Sequence, residues 1–408
     1  MTDRSVRGLV LREHRIQVPL DYGKPDGPTI EVFAREVAAP DGTDRPFLLF
    51  LQGGPGFESP RTPSAAEPGW IARALKDYRV VLLDQRGTGL STPFGHAGDP
   101  EDDARYLTNF RADSIVQDAE RMREHLGAKR WSVLGQSFGG FCALHYLTVH
   151  PESLEEVIFT GGLPPIGRSV DDVYATTFRT MRRLNREYHR RFPQDQERLD
   201  RVLALSAAGK ILGPSGEVIT PRLLRTLGHH LGMDGGAEEL HFLLELDPAS
   251  LAFSHDVMEM LPFGTRNPIY SVLHESSYAD GVATRWSSHR VQPEDFADGS
   301  SLLTAEHIYP WHFEDMPGLR PYAQAAELLA QHEWPRLFDL DVLSRVDVTC
   351  AAVIYVDDPY VDRALSEETA DVLPGLRRWV TNEHLHNGLR TGGERVLDRL
   401  IGLARGTI

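Results

Sequence analysis

The sequence predicts an α/β fold with a mostly parallel central sheet and helices on both of its faces. The main observation is a series of short, mainly apolar runs, at residues 47–51, 79–83, 131–134, 156–160 and 349–355. Continuous apolar runs of this length are typical of strands that are buried on both faces. Stretches with helical spacing separate the runs, and this alternation is the pattern of α/β proteins.

The two segments that precede the first apolar run have a different pattern. Residues 8–20 and 29–39 alternate apolar with polar side chains, and residues 21–28 between them are rich in Asp, Gly and Pro. Alternation predicts strands with one solvated face, and the composition between them predicts a turn. We therefore expect an antiparallel pair of strands at the edge of the sheet.

The region from about residue 163 to 335 has no strand-like run, whereas Leu, Met and aromatic residues recur there at helical spacing. The chain then returns to a strand at 349–355 to complete the sheet. This order predicts an inserted helical cap that covers a site, rather than an independent helical domain. We expect residues 1–162 and 341–408 to form the core and residues 163–340 to form the cap.

Composition limits the class of protein. With 408 residues, of which 41% are hydrophobic, the chain can bury a large core. A net charge of −16 argues against nucleic acid or an anionic membrane as a main partner. Cys142 and Cys350 lie far apart in apolar surroundings and imply no disulfide framework. Because no apolar run is long enough for a signal core or a membrane span, we expect a cytoplasmic protein.

The segment around Ser137 carries the first chemical signal. Residues 135–139 read Gly-Gln-Ser-Phe-Gly, the G-x-S-x-G pattern of a nucleophile elbow, between an apolar strand and an apolar helix. Such a turn lifts the serine hydroxyl above the sheet and places it near the free N–H groups of a helix N-terminus. Ser137 is therefore the candidate nucleophile.

A glycine-rich loop follows the strand at residues 47–51. Its sequence, Gly-Gly-Pro-Gly at 53–56, allows a backbone N–H to point into a site without interference from side chains. In this architecture such a loop and the N–H of the residue after the nucleophile, Phe138, form an oxyanion hole. One donor of this kind typically contributes about 2.7–4 kcal/mol to transition-state stabilisation.

The acid and the base of a catalytic triad are expected after the serine in chain order. Asp357 and Asp358 both follow the late strand at 349–355; we favour Asp358, since Asp357 is placed to cap a helix or face solvent. His384 and His386 follow that point in the sequence, and His386 precedes an Asn-Gly turn that presents its ring. Ser137, Asp358 and His386 are therefore the predicted triad.

Four motifs in order along the chain carry a family resemblance. They are GGPG at 53–56, DQRGTGLST at 84–92, GQSFGG at 135–140 and HNGLR at 386–390. Together they resemble the proline iminopeptidase family of α/β-hydrolase serine peptidases. The resemblance implies the α/β-hydrolase fold and release of N-terminal proline from peptides, with no metal or other cofactor.

The resemblance also implies individual roles. Ser137 carries over as nucleophile, Asp358 as acid and His386 as base, and the backbone N–H groups of Gly54 and Phe138 as oxyanion donors. Many relatives have histidine directly before GGPG, where this chain has Gln52.

Asp84, at the start of the second motif, is a further acidic residue directly after a predicted strand. Asp84 precedes the serine, so we expect it to be a structural partner of its turn, paired with Arg86, rather than the triad acid.

The cap segments at 274–278 and 305–311 each place an acid among aromatic residues. Both segments resemble those of the family in which glutamates bind the substrate amine, so Glu275 and Glu306 are predicted to do so. Tyr309, Trp311 and Phe313 are predicted to wall a proline-sized pocket.

Three functions are compatible with these residues to different degrees. The favoured one is a prolyl aminopeptidase acting on peptides with a free N-terminus. The nearest alternative is an α/β-hydrolase aminopeptidase of broader specificity, or an esterase or amidase for small acyl groups, because fold and triad do not set specificity. A non-catalytic binding protein on the same fold is disfavoured by the presence of serine, acid, histidine and oxyanion glycines in order.

Overall fold

The computed structural model describes residues 4–95 and 98–408, and in these residues nine strands form one sheet. The strands are β1 (Arg4–Val6), β2 (Leu9–Pro19), β3 (Thr29–Ala38), β4 (Phe47–Leu51), β5 (Arg79–Leu83), β6 (Trp131–Gln136), β7 (Leu154–Thr160), β8 (Thr349–Tyr355) and β9 (Leu376–Thr381). Their spatial order is β1-β2-β3-β5-β4-β6-β7-β8-β9.

The sheet combines an antiparallel edge with a parallel remainder. Strands β1, β2, β3 and β5 pair antiparallel, and every pairing from β5 through β4 to β9 is parallel. The predicted antiparallel pair at the edge is confirmed, with the short β1 added outside it. The predicted mostly parallel α/β sheet is also confirmed.

Helices account for most of the remaining chain. They are α1 (Gly69–Asp77), α2 (Pro100–Leu107), α3 (Ala112–His125), α4 (Phe138–Val149), α5 (Val170–Arg191), α6 (Asp195–Ala207), α7 (Pro221–Arg225), α8 (Gly236–Glu245), α9 (Leu251–Met260), α10 (Pro268–Leu273), α11 (Ser287–Arg290), α12 (His312–Asp315), α13 (Ala323–Gln331), α14 (Leu340–Leu343), α15 (Arg363–Val372), α16 (Gly388–Thr391) and α17 (Gly393–Arg405). Across the described ranges, no helix is long and apolar enough to cross a bilayer.

Both faces of the sheet are buried. Along β4, Leu49 and Leu51 belong to a core cluster that includes α3 and α4, whereas Leu48 and Phe50 belong to a second cluster with α1 and α17. Successive side chains of a strand point to opposite faces, so an uninterrupted apolar run is needed to fill both clusters. This is the physical origin of the apolar runs in the sequence.

The chain between β7 and β8 contributes no strand to the sheet; residues 161–348 contain α5 to α14. The long α5 begins with a capping box, in which the side chains of Ser169 and Asp172 each accept from the other's backbone N–H. One core cluster runs without a break from the sheet into these helices. The division at residues 162 and 340 stays a prediction.

Candidate active site

Ser137 occupies the sharp turn between β6 and α4. Its φ is 54° and its ψ is −126°, a conformation that non-glycine residues rarely adopt. The turn is held in place because the backbone N–H of Ser137 donates to the carbonyl of Thr160 at the end of β7, at 3.0 Å. Strain of this kind is concentrated at functional sites, where the surrounding fold imposes it.

Glycines let the backbone close around this turn. A Cβ atom on Gly139 would lie 1.9 Å from the carbonyl oxygen of Leu51, and one on Gly140 would lie 2.2 Å from that of Gly162. Neither distance is compatible with a side chain. The helix that follows Ser137 can therefore pack directly against the ends of the neighbouring strands.

His386 joins Ser137 to Asp358. Its Nε2 lies 2.9 Å from the Oγ of Ser137, and its Nδ1 lies 2.7 Å from the Oδ2 of Asp358. The three residues follow β6, β8 and β9, so parallel strands bring them to the same edge of the sheet. Such an arrangement can move a proton from the hydroxyl to the imidazole while the carboxylate stabilises the resulting imidazolium.

The Asp358 carboxylate is fixed on its other side. Its Oδ1 accepts the backbone N–H groups of Tyr360 and Val361, at 2.9 and 3.0 Å. These bonds leave the Oδ2 directed at the histidine, which sets the tautomer and orientation of the ring.

The environment also sets the pKa of His386. Burial alone lowers it, but the adjacent Asp358 carboxylate raises it by charge and by its hydrogen bond, and the net pKa lies above the ordinary value. The sign follows from charge stabilisation, since the imidazolium gains a close anion.

We expect the reaction of Ser137 with a fluorophosphonate to accelerate as pH rises through an apparent pKa above about 6.5. The imidazole accepts the serine proton only when neutral, and the raised pKa keeps it protonated at lower pH. The measurement is the labelling rate from pH 5 to 9. A rate that is independent of pH, or a midpoint below the ordinary histidine pKa, would contradict the expectation.

The alternative acid and base lie elsewhere. Asp357 forms an ion pair with Arg183, at 2.6 Å, and His384 lies 3.1 Å from the carboxylate of Asp234. Neither takes part in the hydrogen bonds that connect to Ser137.

The glycine loop after β4 lies directly beside the serine. A Cβ atom on Gly53 would lie 2.8 Å from the Cβ of Ser137, and Gly54 has a φ of 71°. Gln85 holds this loop, because its amide donates to the carbonyl of Gln52 at 2.8 Å. On the other side, Phe138 opens α4, where the first N–H groups have no acceptor within the helix.

Asp84 has a different partner from the expected one. Both of its carboxylate oxygens accept from Arg61, at 2.8 and 2.6 Å. Arg86 is fully buried and pairs with Asp118, at 2.7 and 2.5 Å. The predicted pairing of Asp84 with Arg86 is therefore wrong. Sequence proximity suggested it, whereas the buried guanidinium of Arg86 lies beside α3.

Ser137 and His386 open onto a cavity of about 180 Å³. Glu306, from the helical block formed by residues 161–348, is on its wall, together with Phe57, Met233, Pro262, Tyr270 and Arg390. The Tyr270 hydroxyl donates to the Glu306 carboxylate, and burial followed by that negative charge raises the pKa of Tyr270. Within the described residues, Glu306 forms no ion pair with Lys or Arg.

The other predicted substrate-binding residues do not reach this cavity. The buried carboxylate of Glu275 accepts the backbone N–H groups of Ser287 and Ser288, at 3.1 and 2.9 Å. Tyr309 and Trp311 stack on each other with ring centroids 5.0 Å apart, and neither lines the cavity. Their roles in substrate binding stay predictions that this geometry does not favour.

Phe313 likewise packs elsewhere, against the ring of Trp286 at 5.9 Å. Three residues of the cavity wall, Phe57, Tyr270 and Arg390, were not predicted from the sequence. Phe57 directly follows the GGPG loop and Arg390 ends the HNGLR motif, so both were adjacent to recognised signals. Among residues 4–95 and 98–408, no group of three or more His, Cys, Asp or Glu residues is arranged to hold a metal ion.

Known proteins resemble this chain over most of its length. The family model for the alpha/beta hydrolase fold matches residues 46–205. The proline iminopeptidase of Aeromonas sobria is 45% identical, with 98% of this chain and 97% of that protein aligned. The proline iminopeptidase aneH of Aspergillus aculeatus is 33% identical, with 96% and 93% aligned. A solved serine hydrolase from Cycloclasticus zankles covers 98% of the chain at 15% identity and a TM-score of 0.45. The identity to the two proline iminopeptidases, each aligned over nearly its whole length, confirms the resemblance seen in the motifs, and the chain belongs to the proline iminopeptidase family of α/β-hydrolases.

Proposed function

We propose that this protein is a serine peptidase that releases N-terminal proline from peptides. The observation that carries the proposal is the continuous hydrogen bonding from Asp358 through His386 to Ser137, beside a cavity that contains Glu306. The relatives aligned over nearly their whole length are named for this activity.

The mechanism follows from the contacts. Ser137 attacks the carbonyl carbon of the N-terminal residue as His386 Nε2 accepts the hydroxyl proton. The tetrahedral oxyanion is stabilised by the backbone N–H groups of Gly54 and Phe138. The imidazolium then protonates the leaving amine, which departs and leaves the acyl-enzyme. Water, deprotonated by the same histidine, attacks the acyl-enzyme and releases the free amino acid.

The charge of Glu306 supports recognition of a free N-terminus. Its carboxylate is partly exposed, and it has a neutral tyrosine as its hydrogen-bond partner rather than a basic residue. The secondary ammonium of an N-terminal proline supplies the missing positive charge through a charge-assisted hydrogen bond. Phe57, Met233 and Pro262 offer apolar surface to the pyrrolidine ring.

The proposal is tested with three arylamides, of proline, alanine and N-acetylproline. Rapid release of the arylamine is expected only from the proline arylamide with a free amine. Acetylation removes the ammonium, and alanine leaves the apolar surface for the pyrrolidine ring uncovered. Equal turnover of the alanine compound would support the alternative of a broader aminopeptidase. Equal turnover of the acetylated compound would remove the aminopeptidase activity and favour an amidase or esterase.

Glu306→Gln is expected to lower kcat/KM for proline arylamide by about 10- to 100-fold. This range corresponds to the loss of one hydrogen bond to a charged group, about 1.5–3 kcal/mol. Steady-state kinetics measures the change, and Glu294→Gln, at an exposed position outside the cavity, is the matched control. An equal loss in both variants, or no loss in Glu306→Gln, would refute the role of Glu306.

Two broader predictions accompany this function. We propose that residues 163–340 act as a cap, because Tyr270 and Glu306 of that block border the cavity at the serine. We further propose a cytoplasmic protein whose partners are peptides with a free N-terminus, with neither nucleic acid nor membrane as a partner.

A further inference from the structure

Arg390 places a positive charge on the wall of the same cavity. It lies on α16, four residues after His386, and borders the cavity with Ser137. Much of its side chain is open to solvent, yet the protein around it still lowers the pKa of the guanidinium through desolvation. Its charge also acts on His386, whose pKa it lowers.

The guanidinium of Arg390 has no partner among the residues that the structure describes. Over the described ranges of the chain, it forms no hydrogen bond and no ion pair, and no carboxylate offsets its desolvation. Arginines on the surface nearby are different; Arg395, for example, approaches Glu383 at 3.6 Å. Because the guanidinium borders the cavity, it can form paired hydrogen bonds with an anionic group of a ligand.

The cavity wall therefore carries two opposite charges, the carboxylate of Glu306 and the guanidinium of Arg390. Neither has an ionic partner in the part of the chain that the structure describes. A dipeptide has the complementary charges, an ammonium at one end and a carboxylate at the other. Its two residues span at most about 7 Å. A dipeptide is therefore a small ligand that carries both charges.

We infer that Arg390 binds the C-terminal carboxylate of the substrate, so that the protein prefers dipeptides that begin with proline. This inference rests on the proposed function. The planar guanidinium forms paired hydrogen bonds with a carboxylate, which an amide or an internal peptide carbonyl cannot match in charge. In longer peptides the carboxylate lies beyond this contact.

The test compares Pro-Ala with Pro-Ala-amide, which differ in the terminal charge. Proline release is measured at the pH at which wild-type Ser137 is labelled fastest by the fluorophosphonate, and kcat/KM is obtained for both. The wild-type protein is expected to prefer the free acid by about tenfold or more, the effect of one hydrogen bond between charged groups. A ratio near one would overturn the inference.

Variants assign the preference to one residue. Arg390→Gln is expected to bring the ratio of free acid to amide close to one, and Arg390→Lys to retain part of it. Arg395→Gln, an exposed position outside the cavity, is the control and keeps the wild-type ratio. Fluorophosphonate labelling of Ser137, which needs no carboxylate, reports whether each variant is folded. An unchanged ratio in a labelled Arg390→Gln protein would also overturn the inference.

The two proposals fail in different ways. If the wild-type protein releases no proline from either dipeptide or from proline arylamide, the proposed function is wrong. If it hydrolyses the arylamide and treats the free acid and the amide alike, only the role of Arg390 is wrong.

Discussion

Ser137→Ala is expected to lower kcat for proline arylamide by roughly 10⁴-fold or more, because losing the nucleophile of a triad removes most of its rate enhancement. Within the described residues, the Nε2 of His386 has no other hydroxyl at hydrogen-bond distance. The measurement is single-turnover and steady-state hydrolysis at the pH optimum.

The folded state of this variant serves as its control. The substitution removes only the hydroxyl oxygen, and the backbone of the strained turn is unchanged. The denaturation midpoint of Ser137→Ala should therefore be at or above that of the wild type. Retention of more than about one hundredth of the wild-type kcat would show that Ser137 is not the nucleophile.

Gly139→Ala is expected to destabilise the fold by about 4 kcal/mol or more, a size reached only by a few mechanisms, including severe overpacking and backbone strain. The added Cβ would lie 1.9 Å from the carbonyl oxygen of Leu51, so α4 or β4 must move. Urea denaturation followed by circular dichroism measures the change.

Gly264→Ala is the matched control for that substitution. A Cβ atom at Gly264 meets no other atom within 4 Å, and its φ is not in the left-handed region. Its stability should therefore stay within about 0.5 kcal/mol of the wild type, as for most surface substitutions. Similar stability in the two variants would contradict the close packing of the elbow.

The fold was predictable because its signals are local. The run at residues 47–51 is apolar at every position, since both faces of β4 are covered, and this alone indicates a buried strand. The alternation of residues 8–20 likewise reflects one covered face of β2. Both patterns are complete within about ten residues of chain.

The elbow was predictable for the same reason, because Gly135 to Gly140 form a contiguous motif around one turn. Asp358 and His386 came from chain order, and the structure brings both to Ser137. The substrate-facing residues depend instead on how the helical block packs on the sheet, which no local pattern describes. Glu275 and Glu306 both lie near aromatic residues in the sequence. In the structure the Glu275 carboxylate accepts two backbone N–H groups, whereas Glu306 borders the cavity.

The partner of Asp84 shows the same limit. Arg61 lies in a proline-containing loop whose path over the sheet is set by tertiary contacts, so nothing near Asp84 in the sequence identifies it.

The hydrogen bond between His386 and Ser137 joins residues 249 positions apart in the sequence. Ribosomes deliver the N-terminal part of a chain first, so β4 to β7 and the elbow are synthesised long before the base. A nascent chain therefore presents its serine hydroxyl without the group that activates it. Competence for peptide hydrolysis is therefore acquired only after residue 386 has been synthesised and has folded against the elbow.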